Sequence, residues 1–162
     1  MILTIFTLFH VALSLVGILG GFAVVIGMFS DKRLDGWTKI FLWTTALTSV
    51  TGFMFPYHGF LPSYALGIIS LVVLAIAIFA RYRRHMEGGW RRTYVIGAVM
   101  AFYLNFFVLV VQLFKHVPAL TALAPTQTEA PFKIAQLVVL VAFVAIGFLA
   151  TIKFHNAHPR TA

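Results

Sequence analysis

Apolar runs alternate with short polar connections along this chain, at 2–29, 37–55, 63–80, 93–116 and 131–154. Each run is close to the roughly twenty residues an α-helix needs to cross about 30 Å of hydrocarbon. The pattern predicts an all-α integral membrane protein, a single five-helix transmembrane bundle occupying residues 1–162 as one domain. Asp35 is placed to cap the second helix and Pro56 to stop it. Thr128 is placed to cap the fifth helix, with Pro131 tolerated in its first turn. No Lys or Arg precedes the first run, which reads as a retained helix rather than a secretory signal. No internal repeat is present, and five spans do not divide into the two equal halves of an inverted-repeat transporter.

The polar positions inside the runs are few and patterned. In the fourth run Asn105, Gln112 and His116 return to nearly the same helix face, and Ala101, Ala98 and Tyr94 extend the stripe backwards. In the first run His10, Ser14, Gly17 and Gly21 share a face, and the GxxxG spacing permits close backbone approach. In the second run Thr44, Thr48 and Thr51 share a face, flanked by Thr45, Ser49 and Gly52. Lipid offers such groups no hydrogen bond, so each stripe should face protein or a wet cavity.

Composition strengthens the membrane reading. Of 162 residues, 61% are hydrophobic and 10% charged, where a soluble domain carries about 25% charged; the mean hydropathy is +0.98. There are no cysteines, which excludes disulfides, thiolate nucleophiles and iron–sulfur or c-type haem attachment. A net charge of +8 would suit nucleic acid, but the cations sit in loops, where they orient a membrane protein, and no nucleic-acid partner is expected.

With five crossings, Lys32, Arg33, Lys39, Arg81, Arg83, Arg84, Arg91, Arg92, Lys153 and Arg160 share one side, and only Lys115 and Lys133 lie on the other. That asymmetry puts the N-terminus outside and the C-terminus in the cytoplasm. The overall pattern is that of a small bacterial inner (cytoplasmic) membrane protein.

Orientation then sorts the candidate chemistry. His10, roughly 13 Å into the first helix at 1.5 Å per residue, falls in the outer half with His58, His116, Gln112 and Gln136. Imidazoles ligate haem iron and other metals and move protons. His10 and His116, with His58 in reserve, are therefore the candidate ligands of an outward-facing pocket for b-type haem or a quinone. Asn105, Gln112 and Gln136 would supply polar support, and the same three histidines are the candidate metal ligands. No pair of them has single-helix metal-site spacing, so any site must form across helices. The plainer alternatives are helix-to-helix hydrogen bonding in an accessory subunit of a larger membrane complex, and a small-solute channel lined by the second-helix hydroxyls.

The basic 81–92 loop is expected to meet anionic lipid, and a protein partner or second copy is allowed by the apolar exterior. The apolar 119–123 stretch is expected to lie on the outer surface as a lid, and Glu129 to pair with Lys133. No P-loop, GxGxxG or HExxH is present, and no span carries an Asp or Glu, so hydrolase, nucleotide and ion-coupled pump chemistry finds no support.

Overall fold

The computed structural model describes residues 1–55 and 62–155. Six α-helices make up its regular structure: α1 (Ile2–Phe29), α2 (Asp35–Gly52), α3 (Pro62–Ile78), α4 (Trp90–His116), α5 (Pro118–Leu123) and α6 (Ala130–Lys153). A π-helical turn, Phe79–Arg83, continues α3, and no strand occurs among the described residues. Ile2–Phe29, Tyr64–Arg83, Trp90–His116 and Ala130–Lys153 are long and apolar enough to cross a membrane. α2 has 18 residues but five threonines and a serine among them, so length and composition carry four crossings where five were expected.

Several boundaries differ from the sequence pattern for local reasons. Leu34, in the left-handed region at φ 41°, is the cap residue of α2, which puts Asp35 inside the first turn. A carboxylate there is favoured by the positive end of the helix dipole. α2 ends at Gly52 before reaching Pro56, because Phe53 and Met54 turn back onto the carbonyls of Val50 and Thr51 at 3.1 Å each. At α6 the cap position is Glu129, not Thr128. Glu129 accepts from the Thr126 hydroxyl at 2.8 Å and from the Thr128 amide at 3.0 Å, so the expected pair with Lys133 gives way to a ring of loop hydrogen bonds. The 118–123 segment is a helix packed on the end of α4, sealed by fully buried Ala124 against Val110 and Phe114.

Packing is built on the small residues of α1. A Cβ at Gly20 would meet the Phe41 backbone at 3.1 Å, and one at Gly21 would lie 2.5 Å from the Phe102 ring. α2 and α4 can therefore close directly on α1. Phe102 is the centre of the core, with Phe22 and Phe143 at ring-centroid distances of 5.0 and 4.9 Å.

One end of the bundle is tied across helices. Arg81 donates to Asp35, the His155 amide donates to Asp31 at 2.7 Å, and Arg91 donates to the carbonyls of Thr151 and Phe154 at the end of α6. The α1–α2 turn, the π turn, the start of α4 and the end of α6 are thus gathered together.

Candidate functional site

Toward the opposite end, α1 through α4 enclose a half-open cavity of about 120 Å³. Its walls are mostly apolar but carry several polar side chains. His10 and Ser14 come from α1, Thr45, Thr48 and Ser49 from α2, Ser70 from α3 and Asn105 from α4, with Phe53 and Tyr64 alongside. Helical spacing explains the convergence: His10, Ser14 and Gly17 lie on one face of α1, and Thr45, Thr48 and Ser49 turn inward together on α2.

The hydrogen bonds divide these groups into two sets. Ser14 Oγ donates to Asn105 Oδ1 at 2.9 Å, and Asn105 Nδ2 returns a longer bond to the Ser14 carbonyl at 3.4 Å. Thr51 donates to the Leu47 carbonyl at 2.7 Å, and His10 Nδ1 lies 2.8 Å from the same hydroxyl. With the threonine proton so committed, Nδ1 carries the imidazole proton and Nε2 is left as an acceptor. Thr44 and Ser49 also bond back to backbone carbonyls of their own helix. Thr45 and Thr48 do not: both hydroxyl oxygens are buried and neither makes a hydrogen bond among the described residues. Leaving such a group unsatisfied costs about 1–3 kcal/mol.

One turn beyond the cavity, α1 meets apolar side chains instead. Phe41 and Phe102, each 1% exposed, stand with ring centroids 6.2 Å apart where Gly20 and Gly21 let them approach α1.

The sequence candidates separate accordingly. His10 and Asn105 meet in the cavity. Gln136 lies on another side of α4, donating to the Phe107 carbonyl at 3.2 Å. Gln112 and His116 are exposed near the end of α4. His116 is eleven residues past Asn105, about 16 Å along the helix, whereas His10 is within about 6 Å of the Asn105 level through Ser14. His10 and His116 are therefore not brought together, and His58 lies outside the described residues. No group of three His, Cys, Asp or Glu side chains with metal-site geometry occurs among the described residues. The α5 segment does not line the cavity, so it is no lid over it.

A second polar cluster was not anticipated. Arg81 is buried at the tied end, where its Nη2 donates to Asp35 and, at 3.4 Å, to the Arg33 carbonyl. Its guanidinium stands 4.9 Å from the Tyr94 ring centroid, a cation–π contact. The π turn re-phases the helix and turns this arginine inward. The available signal was charge order: Asp35 stands two residues before one apolar run and Arg81 directly follows the next.

No protein-family model, curated protein or solved structure matches this chain.

Proposed function

We propose that this is a five-crossing membrane protein that holds a small, uncharged, hydrogen-bond-accepting ligand in the cavity between α1 and α4. The single observation carrying this reading is the pair of buried, unbonded hydroxyls on Thr45 and Thr48, two residues that line that cavity. Bonding back to carbonyls of their own helix, the plainer fate of such hydroxyls, satisfies Thr44, Ser49 and Thr51 but leaves these two donors over.

Size and chemistry narrow the class. A cavity of about 150 Å³ accepts benzene, so about 120 Å³ with an open mouth suits one six-membered ring. A porphyrin is a macrocycle of four pyrrole rings, too large for this volume, and the cavity offers one imidazole. A quinone headgroup fits better: its carbonyls accept from Thr45 and Thr48, and an isoprenoid tail would leave by the mouth. His10, Ser14 and Asn105 orient and wet the site. Phe41 and Phe102, buried against α1 one turn beyond the cavity, favour holding a ligand over passing a solute through.

α2 as the fifth crossing is supported by its outer face. Trp37, Ile40, Trp43, Leu47 and Val50 recur at helical spacing and are all exposed, while Thr38 and Thr45 are buried. That is the distribution for a helix with lipid outside and polar groups inside. The Asp35–Arg81 tie also puts the start of α2 and the end of α3 at one level. Five crossings place the basic end in the cytoplasm and open the cavity outward, in keeping with a bacterial inner membrane.

The test is solvent extraction of the purified protein followed by mass spectrometry. Co-purifying quinone that is depleted in Thr48→Val supports the reading; equal recovery from both proteins removes it.

A further inference from the structure

The basic stretch 81–92 holds five arginines, and the fold has already engaged three. Arg81 is buried against Asp35, Arg84 stands 5.2 Å from the Trp90 ring centroid, and Arg91 caps the α6 carbonyls. Arg92 is exposed and forms no ion pair among the described residues. It stands one helical turn before Ile96, and Ile96 is where a groove between α4 and α6 begins.

That groove has a volume of about 260 Å³ and nearly all-apolar walls. Ile96, Met100 and Tyr103 form one side, and Val144, Gly147 and Phe148 the other. From Ile96 to Tyr103 it runs about 10 Å along α4, at 1.5 Å per residue. Gly147 gives it depth, since a Cβ there would only touch Val99 at 3.6 Å, while Val144 and Phe148 stand out at 64% and 66% exposure on either side. Closely approaching partner helices in membranes favour a stripe of small residues, and Gly147 is the one glycine here. This notch, one side chain deep and walled by large ones, suits a flexible hydrocarbon chain instead.

We infer that the groove seats one acyl chain of an anionic phospholipid whose phosphate meets Arg92. The charge at the groove's end selects the headgroup, and the apolar walls hold the chain. The site is separate from the α1–α4 cavity and does not depend on what that cavity holds.

Native mass spectrometry of the full chain in neutral detergent tests it, with phosphatidylglycerol and phosphatidylcholine of identical acyl chains supplied in equal amounts. One arginine at a membrane surface contributes about 1 kcal/mol, so phosphatidylglycerol should bind about fivefold better. Arg92→Gln should erase that preference, and Gly147→Phe should lower binding of both lipids. Val144→Trp, at an exposed position, makes the same groove-filling test if Gly147→Phe does not fold. Equal binding of the two lipids by the wild-type protein, a preference that survives Arg92→Gln, or full binding by both groove-filled variants would overturn the proposal. So would a dimer that the groove-filling variants dissociate, because a second copy would then be the occupant.

Discussion

Ser14 and Asn105 clasp each other between α1 and α4, hydroxyl to amide oxygen at 2.9 Å and amide nitrogen to backbone carbonyl at 3.4 Å. The clasp sits beside Gly17, where a Cβ would lie 3.0 Å from Asn105 Nδ2 and 3.1 Å from Thr45 Oγ1. Interhelical hydrogen bonds in membranes are worth about 0.6 kcal/mol on average and about 1.7 at most. Asn105→Ala should destabilise the protein within that range, and Ser14→Ala by no more. A double-mutant cycle read by thermal unfolding in detergent should show the two losses to be non-additive; simple additivity would mean the bond contributes nothing.

The glycines of α1 should rank by the space they leave. Gly21→Ala drives a methyl to 2.5 Å from the Phe102 ring, whereas Gly17→Ala meets polar tips that can give slightly. Overpacking costs about 1–3 kcal/mol, with Gly21→Ala the more damaging. The reverse order in unfolding experiments would show that α1 and α4 do not pack through Phe102.

The Asp35–Arg81 pair should respond asymmetrically, because the Arg81 side chain is 0% exposed and that of Asp35 55%. Asp35→Asn strands a buried cation and should cost up to about 3 kcal/mol, given the penalty for leaving such a charge unpaired. Arg81→Met fills the same space without charge and leaves Asp35 in contact with water, so it should cost less. Unfolding midpoints of the two variants decide the order; a larger loss in Arg81→Met would show that the Tyr94 contact and packing dominate.

Glu129 lies outside the spans, and the hydrogen bond from the Thr126 hydroxyl, with further help from backbone amides including those of Thr126 and Thr128, holds its carboxyl below the ordinary glutamate value of 4.5 against the opposing effect of desolvation. A depressed carboxylate stabilises its loop above the unfolded value and loses that contribution as pH falls through the folded one. The NMR amide signals of Thr126 and Thr128 should therefore titrate together with a midpoint below 4.5. A midpoint at or above that value would mean the loop bonds are not formed in solution.

Much of this arrangement was readable from residue order. Long apolar runs specify helices and lipid, and the positions of His10, Ser14 and Gly17 at helical spacing marked the face of α1 that meets α4. What failed was the assumption that a stripe on one helix meets one neighbour along its length. The α4 residues up to Asn105 face α1 and α2, but its last turns pack on α5 and α6 through Val110 and Phe114. Gln112 and His116 are therefore left outside although they continue the Asn105 stripe. Arg81 was hidden for a different reason: a π turn shifts helical phase, which a fixed 100° per residue cannot anticipate. Among the α2 hydroxyls, spacing identified the face; only the carbonyl bonds show that Thr45 and Thr48 are the two left over.

The crossing of α2 is open to direct labelling, since the chain has no cysteine of its own. Ser30→Cys and Glu87→Cys should react with an impermeant maleimide from the cytoplasmic side, and Thr126→Cys from the outside. Ser30→Cys and Glu87→Cys reacting from opposite sides would mean that only one helix crosses between them.

The ligand cavity is tested most directly by titrating the purified protein with a short-chain benzoquinone, comparing wild type, Thr48→Val and His116→Ala. Losing one hydrogen bond of about 1–1.5 kcal/mol should weaken binding by Thr48→Val about tenfold, while His116→Ala binds as wild type does. Unchanged binding in Thr48→Val, or loss of binding in His116→Ala, would contradict the site described between α1 and α4.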